Sequence, residues 1–446
     1  MLISAVGEAQ GIPGNFIVVK PQKGDNWNYL QTAINTCIAE GIKDIYFSKG
    51  NYSISKPLHL ENDGKFFSLN LIGEDAAQFN LETSEARIIC NFKEGYAIGY
   101  QMARSSLIKG LVIYGAGIGK DERFDVYSGI SIDPFNRKKN GASGSSGITI
   151  RNCRIRNFTA GIVISQNGVT LNGENIHVED CSIDGVKVAY ASCQRQSKAN
   201  TVKNLICWDN VETVFDGKSY GQGVGVMPYI DGVNIAGSVK QVFNFGPQLF
   251  ATSAQKIFAE NIERIGVIED GAAGVMIRDS HFDFNWYKFP EYHFKGNRVN
   301  FDNVSIRYYD DKNDKRIVID GVENMFMNGY TDRPFLMKDA EKWEEQHRTN
   351  YYFNYGCVPQ SKTRVVAHNE ISTYYWLDQQ YIDVKNKTIK VSNMPIKGKV
   401  GDYIDTGHPF YPIARIVGIE GNVIRIDNIV DGLKSGKMHI GINGLK

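Results

Sequence analysis

Two short apolar segments hold the residues best placed to do chemistry. Val186-Lys-Val-Ala-Tyr190 and Val211-Glu-Thr-Val-Phe-Asp216 read as matching strands, each set after a polar turn. Stacked in register, they bring Lys187, Glu212 and Asp216 near one another. One or two strands further on, Val267-Ile-Glu-Asp270 adds Glu269 and Asp270. Two carboxyl groups about 5 to 9.5 Å apart serve glycoside hydrolysis, one as acid and one as nucleophile or base. A lysine or arginine beside carboxylates suits β-elimination from a uronate instead. There the cation neutralises the substrate carboxylate or, with a depressed pKa, removes the α-proton. Taken singly, each of these side chains also reads as a solvated charge on an exposed sheet.

Candidate substrate contacts surround this set. Arg195 and Arg264 offer the planar fork that pairs with a carboxylate, although pairing with a neighbouring Asp or Glu competes. Tyr190 closes the first of the two strands. His281 stands in Arg278-Asp-Ser-His-Phe-Asp-Phe-Asn-Trp286, beside Asp283. Its imidazole titrates near neutral pH, and the Trp286 ring can stack on a sugar. A satisfied surface histidine is the competing reading. No metal or cofactor is expected. A calcium site needs clustered oxygen ligands, and spacing assigns none.

These residues need a scaffold that repeats. Ile148-Thr-Ile-Arg-Asn-Cys-Arg-Ile155, Ile176-His-Val-Glu-Asp-Cys-Ser-Ile183 and Thr201-Val-Lys-Asn-Leu-Ile206 share one pattern: apolar strand, Asn or Asp, apolar strand. The turn residues Asn152, Asp180, Asn204, Asp231, Asn261, Asp279, Asn303 and Asp320 fall mostly 18 to 30 positions apart. That is the length of one coil in a β-solenoid, and Asn and Asp tolerate left-handed backbone at tight corners. Outward side chains of successive coils then form rows, as an extended polymer requires. The polar stretch from Gly115 to Gly147 reads as loops leaving the coils, and Asp339 to Arg348 as a short closing helix.

The ends differ. Asp25 caps an amphipathic helix at about 26–39, ended by Gly41, which covers the first coil. From about Tyr351 the chain reads as hairpins, turning at Asn386-Lys387 and at Glu420-Gly421-Asn422. The expected organisation is an N-terminal segment 1–24, a coil region 25–349 and a small β-rich domain 350–446. The fold class is all-β: a right-handed single-stranded parallel β-helix with an N-terminal capping helix and a small C-terminal β-domain.

The stretch DNWNYLQTAINTCIAEGIKDIYFSKGNYSISKPLHL resembles the N-terminal capping segment of the pectin-lyase-like β-helix superfamily. There an Asp/aromatic-led helix with xxLQxAI precedes IYFxxGxYxIxxPL. The resemblance implies the fold more strongly than an activity, because lyases, hydrolases, epimerases, phage tailspikes and inactive binders share it. The polygalacturonase set of NTD, paired DD, GHG and RIK is missing, with Gly407-His408-Pro409 not matching it. The RxPxxR signature of calcium-dependent pectate lyases is missing too. No catalytic residue is therefore carried over.

Composition narrows the classes. With 50 Lys and Arg against 49 Asp and Glu, the chain lacks the basic excess of a nucleic-acid binder. No apolar run is long enough to span a membrane. Seven cysteines at wide spacing suit no disulfide framework, and Cys153, Cys181 and Cys207 read as small core groups. The expected function is a polysaccharide lyase or glycoside hydrolase acting on an extended, acidic glycan. The alternative is a tailspike-like or adhesin protein that binds a glycan, with or without cutting it, and for which a trimer and the absence of catalysis are both open. The expected partner is a polysaccharide, with the protein a monomer or homotrimer. No signal peptide is visible in this chain; the expected location is extracellular or periplasmic, or the virion for a tailspike.

Overall fold

Apolar residues recur at every second position through most of the chain, and strands of that pattern must bury one side. In the computed structural model they do so by coiling, each strand pairing in parallel with one a full turn later. The structure describes residues 16–353 except 75–84, 124, 136–143, 166–172, 194–198, 209, 221–226, 248–251, 270, 272–273, 286–289, 309–316, 332–334 and 339–349, then separate strands and turns between 366 and 443. The expected helix between Asp339 and Arg348 lies outside the described residues, as does Gly407-His408-Pro409.

Three faces result. The first runs from Phe16–Val19 and Asp44–Phe47 to Tyr351–Phe353 and Val366–His368. The second starts with Gly50–Ile54 and Ala86–Cys90. The third starts with Leu58–Leu60 and Tyr96–Tyr100. One turn takes between 23 and 28 residues through mid-chain, and 42 where loops interrupt it between Ala103 and Ser145. The fold is a right-handed parallel β-helix, the hand that parallel crossovers take almost without exception.

The first corner explains the repeated Asn and Asp. Asn152, Asp180, Asn204, Asp279 and Asn303 turn there with φ between 49° and 54°. Their side chains also bond from coil to coil, as Asn204 Nδ2 to Asp180 Oδ1 at 3.0 Å. Three expected corner residues sit elsewhere. Gly232, φ 80°, takes the angle beside Asp231. Asn261 turns at the second corner, just ahead of Ile262 on the third face, while Lys256 holds the first corner of that coil. Asp320 ends a third-face strand, and Asn328 holds the corner.

The interior is apolar from end to end. Phe215 and Phe243 stack at 6.0 Å, and Phe301 and Phe326 at 4.7 Å. Each fully buried ring of this kind contributes about 1.5–3 kcal/mol. Asn324 and Asn350 are buried where the third face returns to the first. Asn324 accepts from the Val299 N–H and donates to the Gly296 carbonyl, satisfying groups that water cannot reach. Cys153, Cys181 and Cys207 are buried and free, as core groups.

A helix, Trp27–Glu40, covers the N-terminal end with Leu30, Ala33, Ile34 and Cys37 against the first coil. Asp25 accepts from the Trp27 N–H at 3.1 Å, and Gly41 ends the helix at φ 71°. Towards the other end, a seven-stranded antiparallel sheet gathers strands from Tyr374–Leu377 to Met438–Asn443. Because the first face continues through Val366–His368, we propose that the C-terminal domain begins between residues 368 and 374 rather than at 350.

Candidate functional site

The third face carries the site. Val186, Val211 and Val239 pair across consecutive coils, so Lys187, Glu212 and Lys240, each one residue on, occupy equivalent places. Three residues beyond Thr213 and Gln241, the outward position returns as Asp216 and Asn244, which also pair. These strands do not alternate strictly. Ala189 and Tyr190 both join the main core, whereas Val188 and Ala191 join a small apolar cluster on the outer side with Val126 and Tyr220. That irregularity sets two outward lines with a core-directed pair between them.

A cleft of about 370 Å³ lies over this surface, lined among others by Asp121, Lys187, Glu212, Asp216, Tyr220 and Lys240. Lys187, Glu212 and Asp216 are thus in one place. A short hairpin, Asp121–Glu122 with Asp125–Val126, supplies one wall. Lys187 pairs with Asp121 Oδ2, and the Tyr220 hydroxyl donates to Asp121 Oδ1 at 2.7 Å.

The three carboxylates differ in their commitments. Asp216 is buried and accepts from the Lys218 N–H at 2.8 Å, the Ser219 N–H at 2.6 Å, the Ser219 hydroxyl at 2.8 Å and Asn244 Nδ2 at 2.6 Å. It ties down the turn after its own strand. Burial would lift the Asp121 carboxyl, but the bonds from Lys187 and Tyr220 outweigh it and hold its pKa below the ordinary value. Glu212 is exposed and makes no hydrogen bond or close ion pair among the described residues, as is true of Lys240. The free charges of the cleft therefore stand side by side on neighbouring coils.

The bond from Lys187 to Asp121 raises the ammonium pKa, which favours neutralising an anion over abstracting a proton. Burial, then the bond to Asp121, raises the Tyr220 phenol as well.

Of the other candidates, two flank the cleft and two turn away from it. Glu269 pairs with Lys218 beside the cleft. Arg264 donates from Nε to Gln241 Oε1 at 3.1 Å and packs 5.1 Å from the Tyr292 ring centre. Tyr190 points into the core against Phe215 and is 1% exposed, so it cannot touch a bound glycan; the double inward step of its strand turns it there. His281 lies on the second face, away from this group, with Nε2 2.9 Å from Asp283 Oδ2. Asp270, Arg195 and Trp286 lie outside the described residues. Among the described residues, no three His, Cys, Asp or Glu side chains gather closely enough to hold a metal ion, and no helix is long and apolar enough to cross a membrane.

Asp121, Arg123, Tyr220, Lys240, Gln241 and Asn244 were not legible as site residues. Lys240 and Asn244 had a signal, since they follow Glu212 and Asp216 by one coil. Asp121 and Tyr220 had none, because they reach the cleft through loops.

No family model and no curated protein matches the chain. Among solved structures, it is similar to the A-module of the Azotobacter vinelandii mannuronan C-5 epimerase AlgE4, with 12% identity, 70% of this chain and 94% of that chain covered, and a TM-score of 0.42. It is also similar to the Acinetobacter baumannii phage AM24 tailspike protein, with 10% identity, 95% and 77% covered, and a TM-score of 0.44. A tailspike protein of E. coli bacteriophage HK620, in complex with a hexasaccharide, shares 9% identity over 98% and 92%, with a TM-score of 0.42. Likeness of this degree transfers no residue role, and the three faces are read from this chain's own strand pairing. That pairing makes the chain a three-faced parallel β-helix, the fold that the resemblance of its capping segment implies.

Proposed function

We propose that the protein cleaves an acidic polysaccharide by β-elimination in the third-face cleft, with Glu212 as proton acceptor. The observation that carries this reading is the pairing of one uncommitted carboxylate with flanking cations. Lys187 and Lys240 stand on either side of Glu212 along the coil axis, one fixed by Asp121 and one free. A uronate carboxylate held between them loses charge repulsion, which acidifies its α-hydrogen. Glu212 takes that proton, the electron pair forms a carbon–carbon double bond, and the glycosidic oxygen leaves with a proton from solvent. Two-carboxylate hydrolysis is less well served, because Asp121 and Asp216 are both engaged in holding the cleft together.

Capture of a glycan without cleavage is the second reading. The same engagement of Asp121 and Asp216 favours it, since a cleft so braced recognises shape whether or not chemistry follows. Incubation with acidic and neutral polysaccharides separates the readings. New reducing ends with ultraviolet absorbance of unsaturated uronates, lost in Glu212→Gln, support elimination. Reducing ends without that absorbance overturn it in favour of hydrolysis, and binding with neither signal favours capture.

A further inference from the structure

On the second face, away from the cleft, a ring and a guanidinium are held side by side. Phe258 is 45% exposed although it lies within a strand. Its ring stacks on His281 in the next coil, with centres 5.2 Å apart and planes 21° apart. Arg307, one coil further, spends Nε on Asp283 Oδ1 at 3.1 Å and Nη2 on Asp283 Oδ2 at 3.3 Å. Nη2 also lies 3.0 Å from His281 Nε2. Two of its three nitrogens are thus fixed, Nη1 has no partner among the described residues, and the side chain remains 48% exposed. Burial would raise the Asp283 carboxyl, but His281 and Arg307 outweigh it and keep its pKa low.

We propose that Phe258 and Arg307 form a second binding site, for a uronate-containing glycan lying along this face. An exposed aromatic within a strand leaves its apolar surface in water, which a sugar ring covers by stacking. A guanidinium locked in plane loses little side-chain entropy when its free edge meets a carboxylate. Both features belong to one residue's reach because Phe258, His281 and Ser305 are consecutive partners across coils.

The same line extends in the other direction to Asn234, which is exposed. At roughly 4.8 Å per coil, the three steps from Asn234 through Phe258 and His281 to Ser305 span about 14 Å, the reach of a short oligosaccharide rather than a single sugar. A site on a face separate from the cleft would hold one part of a long polymer while another part occupies the cleft.

Titration calorimetry with a uronate hexasaccharide tests this in a Glu212→Gln, Lys240→Ala background, where the cleft is disabled. Binding persists there if the proposal holds, and Phe258→Ala and Arg307→Gln each weaken it at least tenfold. A neutral hexasaccharide binds much more weakly. Phe258→Trp, which keeps a stacking face, preserves the affinity and shows that any loss in Phe258→Ala is not misfolding. Equal affinity in all four proteins, or no binding in the cleft-disabled background, overturns the proposal. Neither result depends on turnover, so failure of the elimination reading shows separately in the cleavage assay.

Discussion

Asp121 and Tyr220 stand 99 positions apart in the chain, and the tyrosine hydroxyl donates to Asp121 Oδ1 at 2.7 Å. Lys187 takes the other carboxylate oxygen, so one aspartate joins a hairpin, a third-face strand and the loop beyond the next strand. The cleft wall is thereby assembled from pieces that no local pattern connects. Asp121→Asn keeps the shape but removes the charge. Binding of an acidic glycan should fall several-fold as Lys187 loses the anion that positions it, measured by calorimetry, with only a small change in melting temperature because the pair is partly exposed.

The same pair sets a pH window. The folded Asp121 pKa lies below the ordinary 3.8, so its contribution is full above that value and is lost as pH falls through the lowered one. The folded Lys187 pKa lies above the ordinary 10.5, so its contribution is full below that value and is lost as pH rises through the raised one. Glycan affinity should therefore be insensitive to this pair from mildly acidic to mildly alkaline pH. Lys187→Met should remove the alkaline loss, followed as affinity against pH; an unchanged alkaline limb would count against the pair.

His293 gives a separate acid dependence. It is buried, and burial depresses its pKa from 6.5 to about 3. Its Nδ1 accepts from the Val318 N–H at 2.9 Å, which leaves Nε2 as the protonated nitrogen facing the Tyr308 hydroxyl. The unfolded chain binds a proton below 6.5 that the folded chain refuses, so stability declines as pH falls from 6.5 towards 3. One such group gives a slope approaching ~1.4 kcal/mol per pH unit. Urea midpoints measured over that range should show a shallower slope in His293→Gln.

Glu212 and Asp216 should respond to substitution in opposite ways. Glu212→Gln should lower turnover at least ~100-fold, the scale of a lost general base, with stability within about 0.5 kcal/mol of the parent. Asp216→Ala strands the donors of Lys218, Ser219 and Asn244 and should cost about 2–4 kcal/mol in urea denaturation. A stable Asp216→Ala protein without turnover would reverse their assigned roles.

Gly266 tests the packing between coils. It adopts φ +120°, and a Cβ there would lie 2.0 Å from the Phe243 carbonyl oxygen. Gly266→Ala should cost about 3 kcal/mol or more through strain and displaced backbone. A melting temperature equal to the parent's would show that the coils can part locally.

The coil itself was legible because its demands are local and repeated. One residue per turn must take left-handed backbone, and Asn152, Asp180 and Asn204 announce that need at nearly equal spacing. Where several residue types satisfy the same angle, the signal failed: Lys256 turns a corner as Asn204 does, and Asn261 marks a different corner altogether. Glu212 and Lys187 could be placed together because they share a position in adjacent strands. Tyr190 could not be placed, since the double inward step of its strand depends on the packing of neighbouring rings. The hairpin carrying Asp121 had no periodicity to betray where it folds back.

One turn of the coil uses 42 residues where others use 23, yet the strands on either side of the long detour remain in register with their neighbours. The ladder thus tolerates insertion: added length leaves as a side loop while the rungs above and below keep their partners. Chemistry written on the loops can then be rewritten without recasting the frame. In this chain the longest such detour contributes Asp121, so the most replaceable segment of the architecture is also the one that completes the cleft.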